Sequence, residues 1–131
     1  MKATADTNVL VRALVQDHPE QAHRAANVLL DAGLIAVTLP TLCELTWVLR
    51  KVYGFSTSDI TQAIVALIAA ENVELNRLAA EAGLATLEAG GDFADGVIAF
   101  EGRQLGGDIF VSFDKRAVKL LKEQGYLAME L

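Results

Sequence analysis

The sequence predicts an α/β fold with a mostly parallel central sheet of four to five strands and helices on both faces. Short apolar, β-branched runs alternate along the chain with longer segments whose apolar residues recur at helical spacing. Such alternation is typical of parallel sheets, because neighbouring parallel strands need a crossover connection that is usually a helix. Glycines and prolines separate the segments. The expected strands are residues 3–6, 34–39, 72–75, 109–113 and 127–129.

The helices are predicted from the residues that begin and end them. After a short helical continuation of the first strand to about Val15, Asp17 can cap a helix that has Pro19 in its first turn. That helix should reach Asp31, since Gly33 follows. Pro40 ends the second strand and opens the next helix. The later helices are expected at residues 40–52, 56–69, 77–89, 92–105 and 115–123, the last of them capped by Asp114.

Length and composition indicate one folded domain spanning residues 1–131. The hydrophobic fraction of 53% excludes a disordered chain and suggests that a partner covers some apolar surface. No apolar run has transmembrane length, and Asp6 interrupts any signal-peptide core. Cys43 is the only cysteine, which rules out an internal disulfide and is compatible with a reducing compartment. We therefore expect a cytoplasmic protein with no membrane association.

The net charge of −6 argues against indiscriminate nucleic-acid binding, because that affinity comes from Lys and Arg neutralising phosphates. It does not argue against a nucleic-acid enzyme. An acidic metal site would itself contribute several of these negative charges, and bound cations would invert the local potential.

Four acids fall where a parallel sheet forms its sites, outside the carboxyl ends of the strands. Asp6 is expected to end the first strand and Asp114 follows the fourth, while Glu44 and Asp95 lie in the first turns of helices. Asp6 and Glu44 also stand among apolar residues, where an unpaired charge is costly. Two carboxylates about 4 Å apart repel by about 4 kcal/mol at an effective dielectric near 20. Convergence of four therefore indicates a divalent cation.

Carboxylate ligands favour Mg²⁺ or Mn²⁺ over zinc. His18 and His23 are five residues apart on a helix, about 140° round its axis, and cannot clamp one ion. The competing interpretation is helix capping, since helix starts prefer acids without any function. Asp92 and Asp95 have the spacing of a capping box, and Asp114 suits a cap equally well.

Four segments of this chain closely resemble those of the PIN-domain ribonucleases, and in particular the toxin half of VapBC toxin–antitoxin pairs. They are Asp6-Thr7-Asn8, Thr41-Leu42-Cys43-Glu44, the helix that begins Asp92-Phe93-Ala94-Asp95-Gly96, and Ser112-Phe113-Asp114. The resemblance covers essentially the whole chain in order and length. It implies a PIN-like, Rossmann-like sheet and a metal-dependent endoribonuclease.

The resemblance also implies the roles of individual residues. Asp6, Glu44, Asp95 and Asp114 match the acidic quartet that holds Mg²⁺ or Mn²⁺ and activates water to hydrolyse RNA phosphodiesters. Thr7, Asn8 and Ser112 match the hydroxyl and amide groups that support the acids, and Asp92 is a helper or only a cap. Gly96 stands where the family often has alanine, which we expect to matter little.

Partners follow from the same resemblance. It implies a homodimer and a small VapB-type antitoxin whose C-terminal segment lies in an apolar groove and reaches the acids. The apolar helix 60–69 and the run 9–15 are candidate contact surfaces, with burial in the core as the alternative. Lys115, Arg116 and Arg12 are candidate RNA contacts.

Two other function classes remain open. One is phosphoryl transfer through an aspartyl intermediate, disfavoured because position 8 is Asn and position 112 is Ser, where that chemistry usually has an acid or a lysine. The other is a metal-free binding module of the same fold, in which the acids are only caps.

Overall fold

The computed structural model describes residues 1–131, which separate into two compact units, Met1–Asn76 and Arg77–Leu131. We call them the N-terminal and the C-terminal unit. Both are α/β, and every strand pair is parallel, as predicted. The five strands form two hydrogen-bonded ladders, one of three strands and one of two.

The N-terminal unit contains a three-stranded sheet in the order β1-β2-β3. Ile35 in the central strand and Leu42, Leu45 and Leu49 on one helix face are almost fully buried and form its core. Its elements are β1 (Lys2–Thr4), α1 (Thr7–Val15), α2 (Pro19–Asp31), β2 (Leu34–Ala36), α3 (Leu39–Lys51), α4 (Thr57–Ala69) and β3 (Val73–Glu74).

Side-chain caps begin three of these helices. Ser56 Oγ accepts from the amide of Asp59 at 3.1 Å, as its position predicted, and Thr38 caps α3. The prediction that Asp17 caps α2 is wrong. His18 Nδ1 accepts from the amide of Gln21, while Asp17 lies 3.6 Å from Arg12 and accepts from a tyrosine hydroxyl. Asp17 is drawn away from the helix because a guanidinium competes for its carboxylate.

The C-terminal unit pairs β4 and β5 in a two-stranded sheet, with Ile109 opposite Leu127 and Ser112 opposite Glu130. The first and last residues of its helices and strands agree closely with the sequence prediction, and the last helix begins and ends at the predicted residues. Its elements are α5 (Arg77–Glu88), α6 (Phe93–Gln104), β4 (Ile109–Ser112), α7 (Lys115–Glu123) and β5 (Leu127–Glu130).

Helices α5 and α6 approach closely because two glycines lie at their contact. A Cβ on Gly83 would meet the ring of Phe93 at 2.6 Å, and a Cβ on Gly96 would overlap the Thr86 hydroxyl and the carbonyl oxygen of Ala82. Glycine is therefore required at position 96 of this chain, because the backbone of the facing helix occupies the space of a side chain.

Several strands end earlier than predicted. β1 ends at Thr4 and β2 at Ala36, so Asp6 is the residue that precedes α1 rather than the last residue of a strand. Backbone pairing still extends one step beyond β1, since the amide of Ala5 donates to Ala36 at 3.0 Å.

Residues 109–112 form a strand, as predicted, but the prediction that this strand is buried is wrong. Helices α6 and α7 pack against β4, but Ile109 and Val111 are about half exposed, and Phe113 is 80% exposed. Leu127 and Met129, their neighbours on β5, are also exposed. A buried strand and a half-exposed one look alike when the intervening residues, here Phe110, are apolar too.

No helix of the structure combines the length and the apolar character needed to cross a bilayer.

Candidate functional site

Three of the predicted acids line one cavity of the C-terminal unit. The cavity measures about 110 Å³ and lies at the starts of helices α6 and α7. Its walls are Gly90, Gly91, Asp92, Asp95, Asp114, Arg116, Ala117 and Leu120. Two of the four acids predicted to converge, Asp95 and Asp114, line this cavity, and the third acid there is Asp92, for which the sequence predicts only a helper or capping role.

Asp114 reaches the cavity from the end of β4. Its Oδ1 accepts from the amide of Ala117 at 3.0 Å and so caps α7, as predicted. The hydroxyl oxygen of Ser112 accepts from the backbone amide of Asp114 at 3.0 Å, which holds the turn between strand and helix. The cap uses only one carboxylate oxygen, and Oδ2 accepts no hydrogen bond.

Asp92 and Asp95 come from the start of α6, but they do not form the predicted capping box. Asp92 occupies the capping position without a side-chain hydrogen bond to the helix. The physical reason is that the amide of Asp95, which a capping side chain would satisfy, already donates to the backbone carbonyl of Asp92 at 3.1 Å. Helix capping therefore does not explain why either carboxylate lies at the start of α6.

The environment of Asp95 disfavours its ionised form. Burial raises the pKa of the Asp95 carboxyl above its ordinary value, and the neighbouring carboxylates of Asp92 and Asp114 raise it further. No Lys, Arg or His nitrogen lies within 4.0 Å of any of the three carboxylates. The three carboxylates of the cavity are thus not neutralised by an ion pair.

The other two predicted acids belong to the N-terminal unit. Asp6 precedes α1 without capping it, and Glu44 lies in the second turn of α3, opposite the buried Leu42 and Leu45. Both acids are exposed, so the expectation that they are buried among apolar residues is wrong. Their apolar neighbours in the sequence point into the core, whereas Asp6 and Glu44 lie on the side that faces solvent.

The predicted supporting residues of this unit, Thr7 and Asn8, and the candidate RNA contact Arg12 divide between core and groove. Thr7 is buried, whereas Asn8 and Arg12 line a groove of about 340 Å³ between α1 and α2. Nε of Arg12 donates to Gln21 at 2.7 Å. Sequence reasoning missed the groove residues on α2, namely Gln21, Arg24, Ala25 and Val28. Their helical spacing puts them on one face, but only packing shows which helix faces them.

The donor set of the C-terminal cavity fits a divalent cation. Its free oxygens are carboxylates, which are the hard ligands that Mg²⁺ and Mn²⁺ prefer, and its uncompensated charge is what a cation would neutralise. Within either unit, however, no three His, Cys, Asp or Glu side chains stand close enough to hold an ion by themselves. The three acids fit a metal site to which further ligands must be added.

A family model supplies the identification. The model of the PIN domain matches residues 3–122, which includes almost all of both units. The chain belongs to the PIN domain family. PIN domains are generally metal-dependent nucleases and typically use divalent metals, so the C-terminal cavity and the exposed Asp6 and Glu44 belong to a nuclease fold. A search of curated proteins found no matching relative.

The cap geometry predicts how two replacements of Asp114 should differ. Asp114→Ser keeps an oxygen that can accept from the Ala117 amide, whereas Asp114→Ala removes it; both remove the same charge. Asp114→Ser should therefore be more stable by about 1 kcal/mol, the usual value of an N-cap. Urea unfolding measures the difference. The pair Asp92→Ser and Asp92→Ala is the control and should differ by less, because Asp92 makes no capping bond.

Proposed function

We propose that this PIN domain is a Mg²⁺- or Mn²⁺-dependent endoribonuclease and the toxin of a VapBC-type toxin–antitoxin pair. It hydrolyses RNA phosphodiester bonds in the cytoplasm and is inhibited by a VapB-type antitoxin. The observation that carries the proposal is the meeting of Asp92, Asp95 and Asp114 at one cavity, with uncompensated negative charge, in a chain of a nuclease family.

In this proposal Asp6, Glu44, Asp95 and Asp114 hold the cation. A bound divalent cation lowers the pKa of water and stabilises charge on the phosphoryl oxygens during in-line attack. The chain's own part is to orient the acids. Ser112 holds the backbone of Asp114, the cap of α7 uses only one of its carboxylate oxygens, and α6 presents Asp92 and Asp95 without committing their carboxylates to capping.

We further propose that residues 1–131 act as one PIN domain. Asp6 and Glu44 belong to the N-terminal unit and Asp95 and Asp114 to the C-terminal unit, so we expect activity to need residues from both. Either unit expressed alone should be inactive.

The proposed partners are a second copy of the chain and the antitoxin. Exposed apolar surface supports the existence of partners, since Ile109, Val111, Leu127 and Met129 form a contiguous apolar face of the β4–β5 sheet. The run 60–69 is a weaker candidate than its composition suggested, because Ile60, Ala63 and Ile64 are buried.

RNA cleavage by the purified chain tests the proposal. Labelled RNA should be cut in Mg²⁺ or Mn²⁺ but not in EDTA, leaving 5′-phosphate and 3′-hydroxyl ends. Asp6→Asn should lower the rate by about 10² or more. Asp31→Asn, which removes an exposed acid at the end of α2, should leave it unchanged. In cells, induction should arrest growth, and a small neighbouring open reading frame should relieve the arrest.

Each alternative has its own outcome. Cyclic-phosphate ends or full activity in EDTA would contradict metal-dependent hydrolysis. A phosphorylated Asp6 would indicate phosphoryl transfer through an aspartyl intermediate. A folded protein that binds RNA without cutting it would indicate a binding module.

A further inference from the structure

The C-terminal cavity also contains one cation of the chain, the guanidinium of Arg116. It shares the cavity walls with Asp92, Asp95 and Asp114. Yet none of its nitrogens lies within 4.0 Å of a carboxylate oxygen. An arginine beside three carboxylates without pairing with any of them needs a physical explanation, because such pairs are ordinarily favourable.

The explanation is a tether to the backbone. Nη2 of Arg116 donates to the carbonyl oxygen of Gly90 at 2.9 Å. Gly90 has a φ of +98°, a conformation that glycine adopts without strain, and it lies in the turn between α5 and α6. This contact holds the guanidinium at the wall of the cavity, away from the acids. It uses one of the five N–H donors of the group, and no other hydrogen bond engages the remaining four.

We propose that Arg116 binds a phosphate group of the RNA substrate at the mouth of the acidic cavity. The inference rests on the proposed function and identifies the residue that holds the substrate backbone there. A planar guanidinium with free donors matches the non-bridging oxygens of a phosphodiester, which can accept two parallel hydrogen bonds. The acids alone would repel that phosphate. Arg116 is the cavity residue whose charge opposes the repulsion without neutralising the acids.

The competing role is structural: Arg116 could simply tie α7 to the turn at Gly90. The two roles differ in what they predict for RNA binding. A phosphate contact contributes to affinity and to its dependence on salt, because each neutralised phosphate releases counterions. A tie within the protein changes stability and leaves the salt dependence of RNA binding unaltered.

The test compares Arg116→Gln, Arg116→Lys and the control Lys122→Gln, which alters an exposed residue of the same helix. Binding of a short single-stranded RNA is measured in the Asp95→Asn background over a range of salt, and KM and kcat are measured in the active chain. Arg116→Gln should weaken binding about tenfold or more and reduce the salt slope by about 1. Arg116→Lys should keep the slope and recover part of the affinity.

Other results overturn the inference in distinguishable ways. If Arg116→Gln binds and cleaves RNA like Lys122→Gln and loses only melting temperature, Arg116 is a structural tie, and the nuclease proposal is unaffected. If the unsubstituted chain neither binds nor cleaves RNA, both proposals fail together.

Discussion

Asp95→Asn should abolish metal-dependent RNA cleavage and, in the same molecule, raise the stability of the metal-free protein. The loss of activity should be on the order of 10²-fold or more, as for other groups that stabilise transition-state charge. The gain in stability follows from the site. Burial and two neighbouring carboxylates raise the pKa of Asp95, so its ionised form is unfavourable in the folded state, and the neutral amide removes that cost.

The sign of the pH dependence follows from the same shift. A carboxyl whose pKa is raised on folding binds more protons in the folded than in the unfolded state. The contribution of Asp95 to stability is therefore greatest below the ordinary pKa of Asp and decreases as pH rises through the raised pKa of Asp95. Asp95→Asn should remove this decrease, and its melting temperature at neutral pH should rise by no more than a few degrees, since solvent screening of the partly exposed carboxyl keeps the gain below about 1 kcal/mol.

Asp59→Asn is the matched control. Asp59 occupies the third position of α4, as Asp95 does of α6, but Asp59 is exposed to solvent, whereas Asp95 is partly buried. Its replacement should leave activity unchanged and lower stability slightly, by about 0.3–1 kcal/mol, because only a favourable interaction with the helix dipole is lost. Equal effects of the two replacements on stability would contradict the electrostatic account of the cavity, whatever the activity of the variants.

Gly96→Ala should destabilise the C-terminal unit and lower cleavage, although alanine is the better helix former. A Cβ at this position would lie 2.5 Å from the carbonyl oxygen of Ala82 and overlap the Thr86 hydroxyl. Overpacking of this kind costs about 1–3 kcal/mol, which outweighs the gain of about 1 kcal/mol in helix propensity. Because α6 must move away from α5, the adjacent Asp95 should be displaced, and a displacement of about 1 Å can lower activity as much as 10²-fold.

Gly102→Ala in the same helix is the control, and its expected effect on stability has the opposite sign. Nothing lies within 4 Å of a Cβ at Gly102, so the substitution should gain helix propensity alone and raise stability by up to about 1 kcal/mol. Denaturant unfolding and initial cleavage rates measure both variants. A Gly96→Ala protein as stable and active as Gly102→Ala would show that the packing of α5 and α6 does not constrain the site.

Local sequence signals predicted much of the fold. Ser56 and Asp114 cap helices as expected, and the last helix begins and ends at the predicted residues. These features depend on interactions within a few residues, which a sequence displays directly. The same holds for the strands, whose apolar runs are recognisable in the sequence even though the predicted ends of β1 to β4 lie one to three residues too late.

The errors arose where a second group, such as a guanidinium, a backbone carbonyl or a facing helix, competes for the same atoms or the same space. Asp17 is withdrawn from its cap by Arg12, and Asp92 leaves its cap because backbone atoms satisfy the amide of Asp95. Gly96 is required because the backbone of α5 lies against it. None of these competitors can be identified from spacing alone.

The sequence by itself determined the α/β class and the order of the elements, because periodicity and capping are local properties of a chain. Only the tertiary structure decided that Asp92, Asp95 and Asp114 share a cavity, that two of them do not act as caps, and that Arg116 stands beside them unpaired. These outcomes depend on where elements distant in sequence meet, and the energies of burial and charge at that meeting point do not exist until the chain has folded.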